Sequence, residues 1–174
     1  IGAAGQARMA QTRVLLVGVG GLGSPVAQYL VGMGIGTLGL VDDDVVSVSN
    51  LHRQILYSEQ QVGQPKVACA AARLRSLNSE VCIEEHPGRF TPEVADAMLA
   101  SYDMVVDGCD NFATRFAIDE ACARRGIPYI YGAVCGFEGQ ASVFHYGEHP
   151  HTYRTLHPDK DAVLAMPHPG KAVI

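Results

Sequence analysis

RVLLVGVGGLGSPVAQYL, residues Arg13–Leu30, decides the fold. An apolar strand runs directly into Gly18-Val19-Gly20-Gly21-Leu22-Gly23, and a helical pattern follows. Glycines at Gly18, Gly20, Gly21 and Gly23 permit a tight turn and a close backbone approach. A helix starting behind such a turn offers unpaired N–H groups and the positive end of its dipole to an anion. The stretch therefore predicts a phosphate site built from backbone, and with it an adenine nucleotide. Taken alone, it does not separate a redox cofactor from ATP.

Working outward, strand and helix signals alternate. Strands are predicted at Val14–Gly18, Thr37–Asp42, Val81–His86, Met104–Gly108 and Pro128–Ala133. Helices are predicted at Leu22–Met33, Pro65–Asn78, Pro92–Ala100 and Asn111–Arg125. This order implies an α/β fold, a Rossmann-like mainly parallel sheet with helices on both faces. The alternation over Gln140–Tyr146 adds an antiparallel strand near the C-terminus. Pro65 and Pro92 suit a first helical turn, Gly34 and Gly36 end the first helix, and Gly126 ends the fourth. Beyond Gly147 the pattern dissolves into a solvated stretch holding His149, His151, His157 and His168.

Right-handed crossovers place all the parallel strand ends along one edge, where open α/β sheets bind ligands. The polar residues of interest fall there. Asp42 ends the second strand about 20 residues past the glycine turn, a position suited to ribose hydroxyls. Its neighbour Asp43 reads as a surface residue, and Asp44 as a support for the following loop. Asn50-Leu51-His52-Arg53-Gln54 then places a guanidinium fork within reach of phosphate oxygens. Lys66, directly after Pro65, adds a compact charge. Asp110 and Asn111 open the fourth helix, and both suit an N-cap. Asp110 also offers the hard carboxylate oxygen that Mg²⁺ takes alongside phosphates. Two cations and a magnesium acid fit a triphosphate better than a dinucleotide.

Composition narrows the remaining classes. The chain has 174 residues, 48% of them hydrophobic, and a net charge of −5, which suits one soluble domain. An acidic balance argues against a nucleic-acid binder. No run reaches the ~20 apolar residues of a membrane span, and no signal segment leads the chain, so a cytoplasmic location is expected. The five cysteines are scattered without a C-x-x-C pair and read as reduced thiols. Cys109 and Cys135 read as packing residues.

With these residues assembled, the chain resembles the ThiF/MoeB/HesA family, bacterial relatives of ubiquitin-activating enzymes. GVGGLGSP, LVDDDVVSVSNLHRQ, VGQPK, DGCDN and GFEGQASVF carry the resemblance in order, from Gly5 to about Tyr153. It implies ATP-dependent adenylylation of the C-terminal glycine of a ubiquitin-like sulfur carrier, with release of pyrophosphate, for thiamin or molybdopterin synthesis. By resemblance, Gly21 approaches the phosphates and Asp42 holds the ribose. Asn50 and Arg53 contact phosphates, Lys66 the outgoing pyrophosphate, and Asp110 the Mg²⁺. A homodimer is also implied.

Three departures accompany the resemblance. The family's N-terminal arginine, which reaches a neighbouring protomer's site, is not matched by Arg8 or Arg13. The chain thus reads as a single nucleotide-binding domain, a fragment lacking the family's N-terminal helix and C-terminal region. The family's first zinc-binding C-x-x-C pair falls on Thr152 and Thr155, so no structural zinc is expected. No cysteine lies between Leu156 and Ile174, so the reaction is expected to stop at the acyl-adenylate. Two rival readings are an NAD-dependent oxidoreductase, favoured if Arg53 and Lys66 stand remote from the turn, and a catalytically silent scaffold binding nucleotide or carrier.

Overall fold

The computed structural model describes residues 1–166, so the last eight positions, His168 among them, lie outside it. Six strands form one sheet in the order β3-β2-β1-β4-β5-β6. They are β1 (Arg13–Val17), β2 (Thr37–Asp42), β3 (Cys82–Pro87), β4 (Met104–Asp107), β5 (Tyr129–Cys135) and β6 (Glu138–Phe144). The first five are parallel, and β6 returns antiparallel on β5. This is the Rossmann-like sheet expected from the sequence, with the antiparallel extension in place.

Strand burial explains the order. β1 is apolar at both parities, and its side chains divide between two cores. Val14 and Leu16 join Leu38, Leu40, Ala27, Val31 and Leu74 on one face. Leu15 and Val17 join Leu99, Phe116, Ile118 and Tyr129 on the other. A strand buried on both sides belongs at the centre. Helices α2 (Gly23–Gly32) and α3 (Lys66–Leu77) cover the first face, and α4 (Pro92–Leu99) and α5 (Phe112–Arg125) the second. The outer strands are more exposed, and β6 is exposed from Glu138 to Val143.

Local chemistry fixes the helix ends. Gly126 caps α5 in the left-handed region at φ 65°, and Gly34 follows α2 at φ 78°. Pro92 occupies the first turn of α4, whereas Pro65 stands one residue earlier than expected, at the N-cap of α3. Asn111 caps α5 by accepting the Thr114 N–H at 2.9 Å.

Three helices have weak sequence signals. The first, α1 (Gly2–Met9), is rich in Ala and Gly and is held by contacts distant in sequence. Gln6 Nε2 donates to the Met33 carbonyl at 2.8 Å, and the Gly36 N–H to the Met9 carbonyl at 3.0 Å. The other two, α6 (Tyr153–Leu156) and α7 (Lys160–Leu164), correct the expectation of a solvated stretch after Gly147. Tyr153 is buried against Phe116, their rings 5.0 Å apart. The His157 ring packs tilted against that of Tyr153, 4.7 Å away, instead of lying in solvent. Thr152 and Thr155, where the resemblance implies a C-x-x-C pair, form a reciprocal capping box on α6. Among the described residues, no helix is long and apolar enough to cross a membrane.

Glu120 on α5 ties this segment down, accepting from Lys160 at 2.8 Å and Arg154 at 3.0 Å. The hydrogen bond from Lys160, then the one from Arg154, hold its carboxyl below the usual carboxylate range against the opposing effect of burial. A carboxyl whose pKa is lowered in the fold stabilises above its unfolded value of about 4.3 and stops doing so as pH falls through the folded value. Protection of the amides over Tyr153–Leu164 against exchange, taken relative to the intrinsic rate at each pH, is therefore expected to fall below about pH 4. Glu120→Gln should lower that protection already at neutral pH and flatten its pH response.

Candidate functional site

At the carboxyl ends of the parallel strands, a cavity of about 820 Å³ opens. Its walls begin with the glycine turn. Gly18 has φ 89°, and its N–H donates to the Val41 carbonyl at 2.8 Å, tying the turn to β2. Three glycines then meet backbone to backbone. A Cβ on Gly23 would stand 2.0 Å from the Gly18 carbonyl oxygen, and one on Gly108 would stand 2.5 Å from the same oxygen. No side chain fits between them. Gly20, Gly21 and Leu22 face the cavity where α2 begins, and Gly23 lies behind them in this knot.

Asp42 sits beside the turn at the end of β2. Its Oδ2 accepts the Val19 N–H at 2.9 Å and its Oδ1 the Asp44 N–H at 2.8 Å. Burial pushes its carboxyl up, while those two N–H groups and the Lys66 charge pull it down. Each oxygen keeps a lone pair for a further donor. Asp44 does support the loop after it, because its backbone carbonyl accepts the Lys66 N–H at 3.0 Å. Its carboxylate also takes the Lys66 ammonium at 2.8 Å. The pair is lopsided: the Lys66 side chain is 4% exposed and that of Asp44 67%.

Asn50 and Arg53 lie across from the turn. Asn50 is buried, and its Oδ1 accepts from Arg53 Nη2 at 3.0 Å. Arg53 runs along the turn so closely that a Cβ on Gly21 would be 3.3 Å from Arg53 Cδ. Its guanidinium is thus held at the glycine loop by an amide and a carbonyl, without a carboxylate among the described partners. Asp110 and Asn111 line the opposite wall, above the buried end of β4. Of the nominated residues, Gly18, Gly20, Gly21, Asp42, Asn50, Arg53, Lys66, Asp110 and Asn111 all line this one cavity, and Gly23 shapes it from behind.

The crest carrying Asp110 rests on a charged pair that sequence reasoning missed. The Asp107 side chain is fully buried and faces Arg115 Nε at 3.4 Å. Asp107 accepts the Cys109 N–H at 2.8 Å and the Tyr129 hydroxyl at 2.8 Å. Arg115 Nη2 donates to the Cys109 carbonyl at 3.0 Å. Burial pushes the Asp107 carboxyl up, with Arg115 as the main opposing influence, and the nearby carboxylate keeps Arg115 protonated. The motif DGCDN opens on Asp107 itself, but Asp107 also ends an apolar strand, and Arg115 carries no positional sign within its helix. An acid at the last position of a buried strand was the available signal.

Other lining residues depart from expectation. Asp43 is not an idle surface acid, because its Oδ2 takes Arg89 Nε at 3.0 Å and Nη2 at 2.8 Å. Gln54 is buried, with Nε2 3.5 Å from where a Gly20 Cβ would stand. Cys109 is buried as expected, but Cys135 is exposed and lines the cavity instead of packing. All five cysteines are free thiols. Among the described residues, no three His, Cys, Asp or Glu side chains converge as a metal cage.

The ThiF family profile matches residues 1–170. The chain is 46% identical over 171 residues to the sulfur carrier protein adenylyltransferase of Thermus thermophilus, covering 96% of this chain and 63% of that protein. It is 48% identical to the adenylyltransferase and sulfurtransferase MOCS3 of Sus scrofa, over 91% of this chain and 34% of that protein. The chain thus spans less than two thirds of either relative. Among solved structures, E. coli tRNA N6-threonylcarbamoyladenosine dehydratase, TcdA, in complex with ATP superposes with a TM-score of 0.75 and 32% identity. That match covers 79% of this chain and 57% of TcdA. A glycine knot at the end of β1, two basic side chains brought to it from separate segments, and a sequence match along nearly the whole length lead to one conclusion: the chain belongs to the ThiF family.

Proposed function

We propose that this protein binds Mg-ATP in the strand-end cavity and adenylylates the C-terminal glycine of a ubiquitin-like sulfur carrier. One observation carries the reading. Arg53 and Lys66 come from separate segments yet line the same cavity as the glycine turn. A triphosphate needs that convergence, and the oxidoreductase reading required the two to stand apart.

The chemistry asks little of an acid–base group. A C-terminal carboxylate, with an intrinsic pKa of about 3.5, is already ionised at neutral pH. One of its oxygens attacks the α-phosphorus, and the bond from that phosphorus to the bridging oxygen breaks. Pyrophosphate leaves with the electron pair. The barrier lies in bringing an anion to a polyanion and in stabilising the leaving charge, so fixed cations and backbone N–H groups do most of the work. Asp42 takes the ribose hydroxyls, Gly21 admits the phosphates, Arg53 and Asn50 hold them, and Lys66 meets the departing pyrophosphate.

The residues also fit Mg²⁺. A hard divalent ion of this kind takes one or two carboxylates and completes its shell with phosphates and water. Asp110 supplies such a carboxylate on the cavity wall. When bound there, the ion would neutralise phosphate charge. The relatives' activities, a sulfur carrier protein adenylyltransferase and an adenylyltransferase and sulfurtransferase, support a sulfur carrier as the substrate. Thiamin or molybdopterin synthesis, a cytoplasmic location and a homodimer extend the same proposal. Titration with Mg-ATP and separately with NAD, together with carrier-dependent ATP–pyrophosphate exchange, tests it. ATP should be selected, and Asp110→Ala should remove the Mg²⁺-dependent exchange. Preference for NAD, or exchange unaffected by Asp110→Ala, would sink the reading.

A further inference from the structure

The cavity extends beyond the groups assigned to phosphate and ribose, and its far end has a distinct construction. Strand order fixes the direction. The glycine turn follows β1, Asp42 ends β2, and β3 lies outside β2 at the sheet edge. A nucleotide with its phosphates at Gly21 and its ribose at Asp42 must extend its base toward the end of β3. There the Gly88 N–H donates to the Asp42 carbonyl at 3.1 Å, and Gly88 turns the chain at φ 134°. Gly88, Arg89 and Phe90 therefore line the cavity directly beside Asp42. Phe90 is buried in the core beneath.

Arg89 is the long polar side chain that this turn contributes. Its side chain is 69% exposed, yet it is tethered, since Nε donates to one oxygen of Asp43 and Nη2 stands 2.8 Å from the same oxygen. This contact runs along one edge of the guanidinium plane and leaves its faces free. Asp43 adjoins Asp42, so the tether holds that plane on the ribose side of the cavity. A surface ion pair contributes little to stability. A delocalised cation held flat beside an apolar floor suits the π-face of an aromatic base.

We propose that Arg89 stacks on the purine base of the bound nucleoside triphosphate, with Asp43 as the positioning residue that holds its plane. The inference rests on the ATP reading above and adds the base-recognition element to it. No phosphate role falls to Arg89, and planarity matters more than charge.

Calorimetric titration of the whole chain tests this with two ligands, Mg-ATP and Mg-tripolyphosphate. Arg89→Ala should weaken ATP about three- to tenfold and leave tripolyphosphate unchanged. Arg89→Lys, which keeps the charge and loses the plane, should behave like Arg89→Ala. Asp43→Asn should give a smaller loss for ATP alone. Unchanged ATP affinity in Arg89→Ala would overturn the inference while leaving the ATP reading standing. So would equal weakening of both ligands, or a wild-type Arg89→Lys, since either would make Arg89 a phosphate-attracting charge. A wild-type chain that binds tripolyphosphate but not ATP would overturn both.

Discussion

Replacing Lys66 with alanine is expected to lower carrier-dependent ATP–pyrophosphate exchange by about 10²–10³-fold, the usual effect of removing one fixed group that stabilises transition-state charge. The fold should survive, for a reason visible in the resting pair. Lys66 is the buried member and Asp44 the exposed one, so deleting Lys66 returns Asp44 to water. The opposite deletion differs, because Asp44→Ala would strand a buried ammonium. Exchange assays paired with denaturation midpoints separate the two: Lys66→Ala should lose rate with little stability, and Asp44→Ala should lose both. A Lys66→Ala protein exchanging at the wild-type rate would remove this lysine from the reaction. Arg53→Ala should act in the same direction, and its loss should weaken ATP binding itself, since the side chain lies along the glycine turn.

Arg115→Met should be the most destabilising change, at about 3–5 kcal/mol, the range for breaking a buried pair by removing one partner. Asp107 would keep the Tyr129 hydroxyl and the Cys109 N–H but lose its countercharge. Domains of this size are stable by only about 5–15 kcal/mol, so such a loss is a large fraction of the total. The double variant Asp107→Asn/Arg115→Met should recover much of it, because no uncompensated charge stays buried. Urea denaturation of the single and double variants gives the comparison. If the single variant were as stable as wild type, the pair would not support the β4–α5 crest. Below complete unfolding, Arg115→Met should also weaken Mg-ATP binding, since the Cys109 carbonyl beside Asp110 loses its donor.

The sheet was legible in sequence because its central strands are apolar at both parities and its helices end on Gly34 and Gly126. That the nominated residues would share one cavity wall was legible for a related reason. Strand ends gather along one edge, so residues distant in sequence share a wall. What escaped detection lacks a periodic or positional sign. The α1 helix has almost no apolar face and depends on Met33 and Gly36 to hold it. The α6 helix has four residues, too few for a pattern, and owes its place to Tyr153 entering the core. Arg89 and Arg115 resemble ordinary surface charges in sequence, and only their partners, Asp43 and Asp107, distinguish them.

The contact among Gly18, Gly23 and Gly108 carries a consequence for how this scaffold diversifies. With backbone against backbone, the glycine turn and the shelf bearing Asp110 behave as one casting. Neither can be re-aimed without dragging the other, and any methyl group inserted at the joint must pry them apart. Variation in what the protein accepts is therefore channelled into the detachable fittings around the casting. These are the Asn50–Gln54 segment, the turn after β3, and the β5–β6 hairpin, where new side chains can be tried while the anvil stays still.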